Sequence, residues 1–94
     1  MTSASITIRV PAPLRDRCGG AAELTSAAES VRAALEDLER CHPELHRCVR
    51  DETGAVRRHI NLFVNGAHVR DRGGIDAPLA PGDVLVILPA VSGG

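Results

Sequence analysis

The sequence predicts an α+β fold in which a mixed β-sheet carries one main helix. Three observations predict it: a short alternating apolar stretch near the start, a helix-period stretch over residues 27–41, and the apolar run Val84-Leu85-Val86-Ile87-Leu88. Strand alternation and helical spacing are distinct periodicities, so the two element types separate cleanly along the chain. At 94 residues with 44% hydrophobic content, the chain has enough material for one core that buries about 65% of its unfolded surface.

Residues 5–10 (Ser-Ile-Thr-Ile-Arg-Val) place Ile6, Ile8 and Val10 on one face, the pattern of a half-buried strand. Pro11 and Pro13 end it, and residues 14–20 read as a connecting loop. Residues 21–25 read as a short second strand. Ser26-Ala27-Ala28-Glu29 has the form of a capping box, with Ser26 and Glu29 satisfying each other's backbone amides. Val31, Ala34, Leu35 and Leu38 then recur at helical spacing, which predicts an amphipathic helix over 27–41. His42-Pro43 stops it. Leu45, Cys48 and Val49 predict a short second helix over 44–50, and Asp51-Glu52-Thr53-Gly54 a turn. Residues 57–65 alternate again, with Ile60, Leu62 and Val64 on one face and Asn61, Phe63 and Asn65 on the other. Asn65-Gly66 predicts a tight hairpin whose returning strand covers 67–70. The Gly/Pro-rich stretch 71–83 reads as a long loop. Residues 84–88 read as a continuous apolar strand, hence a central one, and Pro89, which lacks an amide donor, is expected to end it.

In this order the elements predict a β-grasp, or ubiquitin-like, arrangement, with the first and last strands parallel at the centre of the sheet. The expected organisation is one domain over residues 1–89 and a flexible tail over 90–94. That tail ends in Gly93-Gly94. Glycine has no Cβ, so paired glycines pass through a channel too narrow for any side chain. The group delivered is the α-carboxylate of Gly94, inert until ATP converts it to a mixed anhydride.

With 11 basic and 12 acidic residues, nothing favours nucleic acid or a membrane surface as a partner. No stretch has the form of a signal peptide or a membrane span, which predicts a cytoplasmic protein. All the basic residues are arginine. The absence of lysine leaves the N-terminal amine as the only acceptor for self-conjugation. Cys18, Cys41 and Cys48 are an odd set with no paired spacing, so a disulfide framework is not expected. Cys41, His42, His46 and Cys48 crowd the end of the helix, yet match neither C-x-x-C nor a zinc-finger pair. No metal site is predicted there, and Cys41 and Cys48 are expected to pack as small apolar residues. Cys18 is expected in an exposed loop, and His59 and His68 are expected to face solvent. Arg57, Arg58, Arg70 and Arg72 read as a solvated face. Phe63, the only aromatic residue, points away from the core by alternation; it is either a partner-binding residue on an exposed face or a residue packed at the sheet edge. No catalytic constellation appears.

The segments Val86-Ile87-Leu88-Pro89-Ala90-Val91-Ser92-Gly93-Gly94, Asn61-Leu62-Phe63-Val64-Asn65-Gly66, Gly73-Gly74 and Pro81-Gly82-Asp83 resemble the ubiquitin-like sulfur carriers of the ThiS/MoaD superfamily, and most nearly its CysO type. The resemblance extends over the whole chain in element order and is sharp from about residue 57. It implies a protein co-substrate rather than an enzyme. An ATP-dependent activating enzyme would adenylate Gly94, and a sulfur donor would convert it to a thiocarboxylate. A downstream synthase would then take the sulfur for cysteine, molybdopterin, thiamin or a sulfur-containing secondary metabolite. It implies that Pro89, Ala90, Val91, Ser92 and Gly93 thread the tail into those enzymes, and that the chain binds no cofactor of its own, ATP being used by the activating enzyme. It also makes a relay role for the Cys18 thiol unnecessary. Two other functions fit the same tail: a protein modifier conjugated through Gly94, and an interaction module whose glycines are incidental.

Overall fold

A computed structural model describes residues 5–89. Five strands form one sheet: β1 (Ile6–Arg9), β2 (Glu23–Ser26), β3 (Ile60–Val64), β4 (Ala67–His68) and β5 (Val84–Pro89), in the order β2-β1-β5-β3-β4. Strand β5 runs parallel to β1 and antiparallel to β3, so it is hydrogen-bonded on both sides. Helix α1 (Val31–Cys41) and helix α2 (Pro43–Val49) pack on one face. This is the predicted β-grasp arrangement, with β1 and β5 parallel inside a mixed sheet.

The core follows directly from the alternation. Ile6, Ile8 and Val10 from the first strand region, Ile60, Leu62 and Val64 from β3, and Leu85 and Ile87 from β5 are all at most 5% exposed. Against them α1 buries Val31, Ala34, Leu35 and Leu38, and α2 buries Leu45 and Val49. Each of these side chains adds roughly 1.5–3 kcal/mol of burial free energy for the larger aliphatics, so the helical face and the sheet face define each other.

Several local expectations give way to tertiary structure. Helix α1 begins at Val31 rather than 27, and its N-cap is Ser30, whose side chain accepts a hydrogen bond from the Ala33 amide. The Ser26–Glu29 capping box does not form. Residues 29–31 pair instead with the segment before β5: the Leu79 amide donates to the Glu29 carbonyl, the Val31 amide to Ala77. Ser26 closes β2, where its hydroxyl donates to Asp37 and accepts from the Ala28 amide. The second strand is shifted to Glu23–Ser26, and β3 is shorter than residues 57–65.

The 14–20 loop is largely a 3-10 helix over Ala12–Cys18, closed by Gly19 at φ 73°. It buries Cys18, whose thiol lies 3.5 Å from the carbonyls of Arg15 and Ala21; the expected exposure of Cys18 is therefore wrong. Cys41, expected to pack inside, is exposed at the last position of α1, and Cys48 is half-buried. The returning strand β4 has two residues rather than four, because the chain turns into a 3-10 helix at Val69–Arg72. A further 3-10 turn, Gly74–Asp76, and the buried Ala77 and Leu79 give the predicted loop its own structure.

Candidate functional site

Strand β5 carries the chain toward its tail. Held by β1 on one side and β3 on the other, it fixes Pro89, whose Cα stands opposite Ile60. Pro89 is thus the last residue of the strand rather than the residue beyond it. The predicted threading residues Ala90, Val91, Ser92 and Gly93 and the predicted reactive Gly94 lie outside the described residues.

The opposite end of β5 is locked by side chains. Asn65 and Gly66 have φ of 50° and 89°, the pair of positive values that matches hairpin twist and suits Asn-Gly. The Asn65 side chain donates to Asp83 (2.9 Å) and accepts from the Val84 amide (3.0 Å). Asp83 also accepts from the Ala80 amide, and these bonds, the Ala80 amide's first, hold its carboxyl below the usual carboxylate range. The turn therefore sets the register in which β5 enters the sheet.

The face of the sheet away from the helices has no covering element among the described residues. Register places one row across it: Glu23 opposite Arg9, Arg9 opposite Val86, Val86 opposite Phe63, and Phe63 opposite His68. Cross-strand neighbours of this kind touch on one face. Phe63 meets His68 edge-on, with ring centroids 5.1 Å apart at 68°. Phe63 lies on the predicted face but is half-buried by these neighbours rather than standing free. His68, expected to face solvent, is half-buried as well. Its Nδ1 accepts from the Arg70 amide (3.1 Å), so its Nε2 carries the proton and donates to Asn61 Oδ1 (3.1 Å). Leu88, opposite Asn61, is 44% exposed, the one large hydrophobic residue so exposed among the described residues. The continuous apolar run hid it. Its parity, opposite to that of Leu85 and Ile87, is the signal that finds it.

Beside Pro89, on the helical side, lies a groove of about 290 Å³. Pro13, Leu14, Cys48, Ile60 and Pro89 form its largely apolar wall, with Arg47, Arg57 and His59 at the rim. No local pattern announces it, since four separated segments supply the lining. Arg57 is held there by donating its Nε to the Arg47 carbonyl (2.7 Å), so it is not simply part of a solvated face. The cluster at the end of α1 does not converge: Cys41 is exposed, whereas His46 is buried with its Nε2 accepting from Arg50 Nε at 2.9 Å. Among the described residues no three His, Cys, Asp or Glu side chains gather as metal ligands, and no helix is long and apolar enough to cross a membrane.

A mixed five-stranded sheet grasping a helix, with a fixed central strand leading to a glycine-paired tail, defines the ubiquitin-like β-grasp class. Within it the chain belongs to the ThiS family, whose profile matches residues 8–94. It is 33% identical over 92 residues to the sulfur carrier protein CysO of Mycobacterium tuberculosis, covering 96% of this chain and 99% of that protein. The crystal structure of M. tuberculosis CysO superposes with a TM-score of 0.83 at 32% identity, over 92% of this chain and 99% of that one. A crystal structure of the Amycolatopsis orientalis BexX/CysO complex matches at TM-score 0.82 and 37% identity, over 95% and 99%. The small archaeal modifier protein 1 (SAMP1) of Methanosarcina acetivorans matches at TM-score 0.81 and 30% identity, over all of both chains. The chain is thus CysO-like, in a family of small sulfur carriers.

Proposed function

We propose that this chain carries sulfur as a thiocarboxylate on Gly94 and delivers it to a biosynthetic synthase in the cytoplasm. A carboxylate oxygen of Gly94 attacks the α-phosphorus of ATP on an activating enzyme, and pyrophosphate leaves. A sulfur nucleophile then attacks the acyl carbon and displaces AMP. The carrier itself holds no cofactor and acts as co-substrate, as sulfur carrier proteins do. The observation that carries the reading is the ThiS family match, which runs through the tail to Gly94 itself. The 33% identity to CysO over nearly the full length of both chains supports it. The BexX/CysO complex supports docking of the carrier on a partner protein. The synthase uses the sulfur to make cysteine, molybdopterin, thiamin or a sulfur-containing secondary metabolite.

Incubation with an activating enzyme, ATP and a sulfide source should raise the intact mass by the replacement of one oxygen with sulfur. An unchanged mass in the presence of confirmed ATP turnover overturns the reading. A second reading has its own support, the full-length similarity to a small archaeal modifier protein: conjugation of Gly94 to target amines. It requires higher-mass conjugates in place of the sulfur gain. Since this chain has no lysine, such conjugates would not extend through lysines of the carrier.

A further inference from the structure

We infer that Asn65-Gly66 is a latent site of covalent self-modification, and that the Asn65–Asp83 lock is the guard that holds it unreacted in the folded chain. The reactivity follows from the residue pair. The Gly66 backbone nitrogen attacks Asn65 Cγ and closes a succinimide ring; that nitrogen gives up its proton, and the side-chain nitrogen leaves as ammonia. Water then opens the ring to aspartate or isoaspartate, so the net change is amide plus water to carboxylate plus ammonia. A side chain on the second residue hinders the attack, and glycine has none. Both residues are exposed, and nothing lies within 4 Å of where a Gly66 Cβ would stand. Asn61, the only other side-chain amide in the sequence, is followed by the bulky Leu62 inside β3.

The restraint comes from the other side of the turn. The Asn65 carboxamide is gripped at both ends: Nδ2 donates to Asp83 at 2.9 Å, and Oδ1 accepts from the Val84 backbone amide at 3.0 Å. The Asn65 backbone amide also donates to the Val84 carbonyl at 3.0 Å. Cyclisation has to break both side-chain bonds before Cγ can swing onto Gly66, and the one to the carboxylate is of the stronger, charge-assisted kind. Once the reaction has run, the lock does not re-form. An aspartate at 65 has no donor for Asp83 and sets like charges where the 2.9 Å bond stood. An isoaspartate lengthens the backbone of a turn whose paired positive φ values match the hairpin twist. Modification therefore releases the start of the central strand irreversibly.

The test needs neither ATP nor sulfur. The full chain is kept at mildly alkaline pH, folded or in urea, and replacement of NH2 by OH is followed by intact mass and peptide mapping. Asn65 should convert in urea and about 100-fold more slowly when folded, roughly tenfold for each side-chain bond. Asn61 should stay unchanged. Asp83→Ala removes one acceptor and leaves the Asn-Gly step intact; in the folded chain it should speed conversion by about tenfold. Val49→Ala on α2 weakens the core without touching the lock, and should convert at close to the wild-type rate. An Asn65 that survives in urea overturns the proposal, because the step is then unreactive. Equal rates folded and unfolded, or an Asp83→Ala chain no faster than wild type, overturn it because the lock is then no guard. A Val49→Ala chain as fast as Asp83→Ala does so too, since global unfolding would then be the gate.

Discussion

Histidine 46 and arginine 50 form a buried polar pair, each 8% exposed, in which a neutral imidazole accepts the guanidinium Nε–H. Burial first, and then the charge of Arg50, push His46 below its ordinary value of 6.5, with Glu39 acting weakly the other way. A depressed histidine binds its proton more readily in the unfolded chain, so the stability it contributes is fully present above about pH 6.5 and is lost as pH falls from there toward the folded value. Melting temperature should therefore decline on acidification through that window. His46→Gln keeps an acceptor for Arg50 but cannot charge, and should flatten the decline; parallel melting profiles for both proteins would exclude His46 as the source. Phe63 makes a different demand. Half-buried in a row with Val86 and His68, it presents its ring on the uncovered sheet face, and large aromatic side chains are enriched at binding hot spots. Phe63→Ala should leave the fold intact and weaken binding to the activating enzyme or the synthase by about tenfold or more, the equivalent of at least ~1.4 kcal/mol. Unchanged affinity for both partners, measured by calorimetry, would remove Phe63 from the interface.

At the scale of elements, the start of α1 separates local from tertiary signals. Ser30 caps the helix through the Ala33 amide, so Ser30→Ala should cost about 1 kcal/mol. Glu29, the other half of the unformed box, is exposed and engages the fold through its backbone carbonyl; Glu29→Ala should stay within about 0.5 kcal/mol of wild type. Urea midpoints give the comparison, and equal losses would mean that the helix starts at the box after all. The residue pattern at Ser26–Glu29 is a good local cap, but the segment 77–79 takes the Glu29 carbonyl and the Val31 amide, which a helix begun at 27 would bond internally, and its approach depends on the placement of β5, far away in sequence. Elements whose signal is periodic were legible: Ile6 and Ile8, the buried face of α1, Ile60 to Val64 and the Asn65-Gly66 turn all fold as their spacing dictates. Elements without period were not. The 3-10 helices, the burial of Cys18 and the exposure of Cys41 depend on which neighbour arrives, as does the groove that Pro13, Cys48, Ile60 and Pro89 build from four distant stretches. Phe63 was legible by parity alone; the half-burial of its ring by His68 was not.

For the molecule as a whole, the architecture separates what folds from what is proposed to react. Every core residue among those described lies between Ile6 and Ile87, and the central strand is tied down by the Asn65–Asp83 lock at one end and the Ile60–Pro89 pairing at the other. Changes beyond Pro89 should therefore leave stability alone while altering chemistry. An activating enzyme has to bring the Gly94 carboxylate in line with the α-phosphorus of ATP, and reacting atoms need to sit about 3–3.5 Å apart. Gly93→Ala retains the carboxylate but adds a Cβ at the narrowest part of the proposed path and restricts backbone angles that glycine adopts freely. A C-terminal tag removes the free carboxylate altogether. Gly93→Ala should lower the rate of sulfur acquisition by about 100-fold, the scale of a ~1 Å misplacement, and a tagged chain should acquire none, with both melting like the wild-type protein. The measurement is a time course of intact mass for each protein with activating enzyme, ATP and sulfide. A tagged chain that gains sulfur at the wild-type rate would show that the acceptor atom is not at Gly94. A Gly93→Ala chain that does so would show that the path around residue 93 has room for a side chain, and that the paired glycines serve some end other than passage.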